Sequence, residues 1–210
     1  MNQTNRKVIW LDLETTGLSA QQNEIVELAM IYNELNEDNG IENEAELHLF
    51  IKHDTYPEDY PKLAEMTGLT EAVLATRGVT KAQAFAKVTG FLRTKIDSYD
   101  RDDKAVLAGF NVGFDDQFMR EFFTSGGSKY YGSFIRSCRL DVMTVLAEVG
   151  MRGQIPFFAS NRLEPLCQFF EIDIDAHSAM SDIKATRELY RKLVGIRAGE
   201  IKLDGKKEKA

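Results

Sequence analysis

Asp12 and Glu14 stand two residues apart at the end of an apolar run, Val8-Ile9-Trp10-Leu11. Residues i and i+2 of a strand share a face. Two carboxylates placed there meet each other's charge in a partly dry setting, where desolvation and like-charge repulsion both oppose ionisation. A divalent cation between them reverses that balance, since Mg²⁺ binds through carboxylates and waters. A second segment, Asn111-Val112-Gly113-Phe114-Asp115-Asp116, follows another apolar run, at the end of a strand where α/β sheets place their ligands. The third is His177-Ser178-Ala179-Met180-Ser181-Asp182. Its five-residue offset brings His177 and Asp182 together only if the histidine lies in a loop and the acid one turn inside a helix capped by Ser178. Singly, each segment has a plain structural explanation: acids solvated at a strand's mouth, Asp115 and Asp116 answering a helix dipole, a structural histidine. Together, Asp12, Glu14, Asp115 and Asp182 carry four negative charges, which two Mg²⁺ ions match. That is the balance of a two-metal phosphodiester site, with ions ~3.5–4 Å apart. A neutral histidine beside it can take a proton from water near neutral pH.

The elements that must position these residues read as an α/β fold. Residues 7–14 form a strand buried on both faces, followed by turn chemistry at Thr15-Thr16-Gly17. Residues 25–32 and 47–52 are two further strands, joined by links short enough for an antiparallel meander. A helix over 80–97 starts at the cap Thr80 and buries Phe85, Val88, Leu92 and Ile96. Strand 105–110, helix 114–123, a loop at Ser125-Gly126-Gly127-Ser128, strand 134–140 and helix 142–149 follow. Asn161 with Glu164 predicts a capping box for a helix through Phe170. A last helix begins at Ser178 and buries Ile183, Thr186, Tyr190 and Leu193. From Gly199 the chain is polar. We expect one domain over 1–198 and a solvated tail over 199–210. Three strands in series followed by alternating helices and strands give a mixed sheet flanked by helices.

Asp-Leu-Glu-Thr-Thr-Gly, Asn-x-x-Phe-Asp and His-x-Ala-x-x-Asp, in that order, resemble the three motifs of the DEDDh family of 3′→5′ exonucleases. Its members include the proofreading epsilon subunit of bacterial replicative polymerase, RNase T and oligoribonuclease. The resemblance covers about residues 7–195. It implies an RNase H-like sheet and hydrolysis from the 3′ end to nucleoside 5′-monophosphates. It also implies two Mg²⁺ or Mn²⁺ ions. Asp12, Glu14 and Asp182 would hold the ion that carries the attacking water. Asp12 would also hold the second, with Asp115 assisting directly or through water. His177 becomes the general base. Backbone N–H groups around Thr15, with Glu14, would face the terminal 3′-OH, and Thr16, Asn111 and Phe114 join the substrate contacts. Leu18 matches an apolar wedge between the last two bases, or else packs within its turn. Phe110 stands where many relatives have histidine and offers a stacking or packing surface in place of a polar group. Met66-Thr67-Gly68-Leu69-Thr70 and Arg162-Leu163-Glu164-Pro165-Leu166-Cys167 also resemble the epsilon-type members. They favour single-stranded or frayed DNA, with an exoribonuclease of RNase T or oligoribonuclease type as the alternative.

Composition narrows the rest. In 210 residues, 43% hydrophobic and 28% charged residues are globular proportions, and the apolar runs are too short for a membrane span. A net charge of −7 argues against a protein that coats nucleic acid electrostatically, but not against an enzyme that meets it through cations. Cys138 and Cys167 form no C-x-x-C pair and read as small buried hydrophobes in a reduced, cytoplasmic protein. The N-terminus has no signal-peptide core. A dehalogenase-type phosphatase with Asp12 as nucleophile lacks its later lysine and paired aspartates. A non-catalytic nucleic-acid-binding module on this fold would usually have lost an acid or the histidine, and none is lost. The sequence leaves a polymerase or homodimer partner open.

Overall fold

The computed structural model describes residues 6–35, 41–175 and 177–201. Three strands come first: β1 (Arg6–Thr15), β2 (Ile25–Leu35) and β3 (Ile41–Lys52). Helices α1 (Tyr60–Thr67) and α2 (Glu71–Arg77) then lead through the two-residue strand β4 (Val79–Thr80) into α3 (Lys81–Arg93). Beyond these lie β5 (Ala105–Gly109), α4 (Val112–Ser125), β6 (Ile135–Asp141), α5 (Val142–Met151), α6 (Leu163–Phe170) and α7 (Ala179–Ala198). The sheet order is β4-β3-β2-β1-β5-β6. β1, β2 and β3 pair antiparallel, whereas β1–β5 and β5–β6 are parallel. This is the mixed, helix-flanked sheet expected from the sequence.

β1 is central, between β2 and β5, which is why its apolar run is continuous. Its two faces feed two cores. Ile9, Leu11 and Leu13 pack with Val88 and Leu92 of α3 and Phe118 and Phe122 of α4. Trp10 faces the other way, into a core with Val142, Leu146, Leu166, Ile183 and Leu193. Asp12 and Glu14 prolong the Trp10 row. α7 lies over this face and runs antiparallel to β1. Its first turn reaches the Asp12–Glu14 end, and Arg187 contacts Asn33, the register partner of Val8. Tyr190 meets Trp10 at a ring distance of 5.5 Å.

Thr80 caps α3, as expected, and the structure adds a full capping box with Gln83; the helix ends at Arg93. Elsewhere the ends differ from expectation. β3 starts at Ile41, six residues before the expected 47, because pairing with β2 overrides weak local patterning. Its acidic half is held from outside by α7, with Arg187 on Glu44 at 2.6 Å and Lys184 on Glu46 at 3.0 Å. Arg162, not Asn161, occupies the N-cap of α6, and no side-chain cap forms there. Ser178 holds the N-cap position of α7, but its hydroxyl does not cap the helix. Cys167 is buried, while Cys138 is exposed on the edge strand β6, where sheet pairing covers one side only. Helices α1 and α2 were not expected. They form a small third core of Val26, Tyr60, Ala64, Leu69 and Leu74. Gly68 at φ +70° terminates α1 and Thr70 caps α2. Among the described residues, no helix is long and apolar enough to cross a membrane.

Candidate active site

Three carboxylates from two elements converge at the C-terminal end of β1. One oxygen each from Asp12, Glu14 and Asp182 lies within 4.8 Å of the others. Asp182 arrives from the first turn of α7. Asp115 closes the group from behind. It is 4% exposed in the first turn of α4, and its carboxylate accepts bonds from the backbone N–H groups of Leu13 and of Asp115 itself. Leu13 can offer that bond because β5 pairs with β1 only as far as Trp10. Gly109 lets the end of β5 pass close to β1 just before the turn: a Cβ there would lie 2.7 Å from the Leu11 carbonyl oxygen.

The turn from β5 to α4 rests on Asn111, whose φ of +58° is left-handed. Asparagine tolerates that conformation. Its backbone N–H donates to Asp141 Oδ1 at 3.1 Å, and the same oxygen accepts from Met143 N–H at 3.0 Å, capping α5. The Asn111 side chain is exposed and makes no capping bond. Phe110 and Phe114 are half-buried on opposite sides of this turn, each packed against its own core. Asp116 does more than answer the helix dipole: fully buried, it accepts from Arg120 Nε at 2.8 Å and from Arg139.

The electrostatics match four acids crowded together with, among the described residues, no salt-bridged cation at their centre. Burial, followed by the charges of Asp115, Asp182, Glu14 and Glu27, holds the Asp12 carboxyl well above the usual range. Burial with Asp182 and Glu27 lifts Glu14 to about 7. Burial takes Asp115 to about 8, although its two backbone bonds pull the other way. Asp182 rises to about 6, again mainly through burial, opposed by the His177 N–H bond and the His177 charge. Asp182 Oδ1 is buried with no hydrogen-bond partner. An orphaned carboxylate oxygen among three repelling acids is the donor set of a hard divalent cation.

His177 is exposed, just before α7, with a left-handed φ of +66°. It is joined to Asp182 through its backbone N–H. His177 thus precedes the helix and Asp182 lies in its first turn, as expected, but the hydrogen bond between them comes from the histidine's backbone and Ser178 supplies no side-chain cap. Leu18 is 88% exposed at the tip of the β1–β2 loop, so it does not pack within its turn. The loop beneath it is braced by Thr16 N–H to Glu24 O at 2.8 Å, Glu24 N–H to Thr16 Oγ1 at 3.0 Å and Ser19 N–H to Asn23 Oδ1 at 3.0 Å. Thr15 Oγ1 donates to Gly17 O at 2.7 Å. The buried side chains of Thr15 and Thr16 thus shape the loop, and the Thr16 N–H is already committed to it.

Glu27 was not expected at the site. It lies opposite Glu14 in the β1–β2 register, is 2% exposed, and meets His48 Nε2 at 2.6 Å. Its signal in the sequence is a single acid inside the apolar strand Ile25-Val26-Glu27-Leu28-Ala29.

Comparison with known proteins agrees with this geometry. Residues 9–190 match the RNase T exonuclease family. A DNA polymerase III of PolC type from Halalkalibacterium halodurans is 28% identical over 185 residues, 87% of this chain but 11% of the relative's length. Exonuclease I from Methylocaldum szegediense superposes with a TM-score of 0.73 at 24% identity, over 93% of this chain and 41% of the other. A zinc-bound complex of E. coli ExoI with single-stranded DNA gives 0.73 at 22% identity, over 92% and 41%. The chain therefore spans a small part of the curated relative and about two-fifths of these solved chains. With its motifs in order, their acids gathered at one end of β1 and nearly its whole length matched, the chain belongs to the DEDDh exonuclease family of RNase T type.

Proposed function

We propose that this chain removes nucleotides from the 3′ end of single-stranded or frayed DNA, releasing nucleoside 5′-monophosphates. The observation that carries this reading is the convergence of Asp12, Glu14 and Asp182 within 4.8 Å, backed by buried Asp115. Asp12, Glu14 and Asp182 would hold one Mg²⁺ or Mn²⁺, and Asp12 with Asp115 a second. Bound there, the cations supply activated water and stabilise charge on the attacking and leaving oxygens. The chain's own residues do the rest. His177, on the approach to α7, takes the proton from the attacking water. Exposed Leu18, on its braced loop, inserts between the last two bases, a move open only to bases free to unstack. Thr15 and Thr16 hold that loop against Glu14. Phe110 and Phe114 flank Asn111 at the turn that orients the strand. A DNA substrate is supported by the kinship with a PolC-type DNA polymerase and by the fold shared with an ExoI–DNA complex.

A substrate panel tests the reading: single-stranded DNA, mismatched and blunt duplex, RNA and a dinucleotide, each with a free 3′-OH. Single-stranded and mismatched DNA should shorten stepwise from the 3′ end with Mg²⁺, and not in EDTA. Digestion of RNA with DNA left intact would favour the exoribonuclease alternative. Cleavage of circular single strands, or hydrolysis in EDTA, would reject the mechanism.

A further inference from the structure

Glu27 is an expensive residue for its place. It is 2% exposed in a central strand, across from Glu14, and its charge adds to the repulsion felt by Asp12, Glu14 and Asp182. An apolar side chain there would avoid both desolvation and repulsion. Its neighbours hold it in position. His48, on β3, meets Glu27 Oε1 through Nε2 at 2.6 Å and packs at a tilt against the Phe50 ring, 4.9 Å between centres. The Arg77 guanidinium lies 4.2 Å from the Phe50 ring centre. The arrangement runs from a buried carboxylate beside the acid cluster, through an imidazole, to a braced aromatic ring. Yet the three oxygens that come together belong to Asp12, Glu14 and Asp182, and Glu27 is not among them. It stands beside Glu14 on the neighbouring strand, outside the ligand set, where an acid acts on a cation through its field.

We propose that Glu27, fixed by His48, is a positioning residue that strengthens cation binding at the Asp12–Glu14–Asp182 cluster without being a ligand. The inference rests on reading that cluster as the cation site. Groups just outside the metal ligands typically change metal affinity by about 10–100-fold. Losing Glu27's charge should therefore weaken binding by about that factor. Losing its His48 anchor should weaken binding less.

The test is direct Mn²⁺ binding to the protein without nucleic acid, with free ion read by EPR. It uses the wild type, Glu27→Gln, His48→Ala, His48→Gln and the ligand variant Asp12→Asn, with melting temperature measured alongside. Glu27→Gln should bind Mn²⁺ about 10-fold more weakly. His48→Ala should fall between it and the wild type. His48→Gln, which keeps a donor toward Glu27, should recover most of the affinity. Wild-type affinity in Glu27→Gln while Asp12→Asn loses binding would overturn the role of Glu27 and leave the cation site standing. A lowered melting temperature with unchanged Mn²⁺ affinity would make Glu27 merely structural, which also overturns it. If Asp12→Asn binds as the wild type does, the cation-site reading itself fails.

Discussion

Asp12 is the residue on which the site's electrostatics converge: buried, and facing the charges of Asp115, Asp182, Glu14 and Glu27. Without cations this crowd works against folding, and its pH dependence has a definite sign. Glu14, Asp182 and Asp115 hold their protons in the folded state up to about 7, 6 and 8, against ordinary values of 4.5, 3.8 and 3.8. Between those limits the folded chain binds more protons than the unfolded one, so their contribution to stability is present at low pH and lost as pH rises. In EDTA the melting temperature should fall from about pH 4.5 toward about pH 8, and Glu14→Gln should flatten part of that fall. A wild-type curve identical in slope to that of Glu14→Gln would refute the assignment. Asp12→Asn, Asp115→Asn and Asp182→Asn should each lose nearly all turnover, with Asp12→Asn melting no lower than the wild type in EDTA. Near-wild-type rates in any of the three would remove it from the site. For His177 the backbone decides which variant is informative. At φ +66° alanine adds strain, whereas asparagine accepts the left-handed region. His177→Asn should lower kcat by about 10²–10⁴-fold. Melting and substrate affinity should stay unchanged, and part of the rate should return at high pH. Weakened binding with unchanged kcat would exclude the proton-transfer role.

At the scale of elements, β1 organises the site through alternation. From Val8 on, its odd residues fill one core; its even residues begin with Val8 and Trp10 in the other core and end with the two acids. The turn after β5 supplies Asp115 by a left-handed Asn111 tied to Asp141. Asn111→Val should cost about 1–2 kcal/mol of stability, the penalty of a β-branched residue in that region. Asn111→Gly should keep the fold and weaken substrate binding. Urea denaturation alongside KM would show whether the turn and the side chain are separate roles. These features were legible because they rest on local pattern: a buried strand, a break, an acid after a second strand, a histidine ahead of a helix start. Other features rest on tertiary partners. The first half of β3 is acidic and weakly patterned, and becomes strand through β2 on one side and the Lys184 and Arg187 contacts on the other. α1 and α2 are about two turns each, too short for periodicity to register. Ser178 marked the start of α7 correctly, yet its hydroxyl makes no cap. Glu27 and His48 are about twenty residues apart and meet only because β2 and β3 pair.

At the scale of the whole molecule, the sheet divides two cores, and the acids gather at the C-terminal end of β1 beneath the first turn of α7. Lys7 anchors the opposite end of β1: 7% exposed, it donates to Asp103 at 2.6 Å and to the Lys95 carbonyl at 2.8 Å. Lys7→Met should cost about 1.5–3 kcal/mol, the usual worth of hydrogen bonds to a charged group. Its activity per folded molecule should stay normal, since the acids lie at the far end of the strand. The antiparallel course of α7 over β1 has a practical consequence for handling the protein. From Glu14 back to Arg6 is about 26 Å of strand, and from Asp182 on to Ala198 about 24 Å of helix. Both elements therefore lead away from the acids over nearly equal lengths and emerge at the same pole. A bead, a dye or a second protein joined ahead of Arg6 or beyond Ala198 would hang from that pole, with the cluster facing outward. Digestion by molecules tethered at either place should match digestion in free solution, while the same cargo inserted at Gln21–Gln22, in the loop carrying Leu18, should stop it.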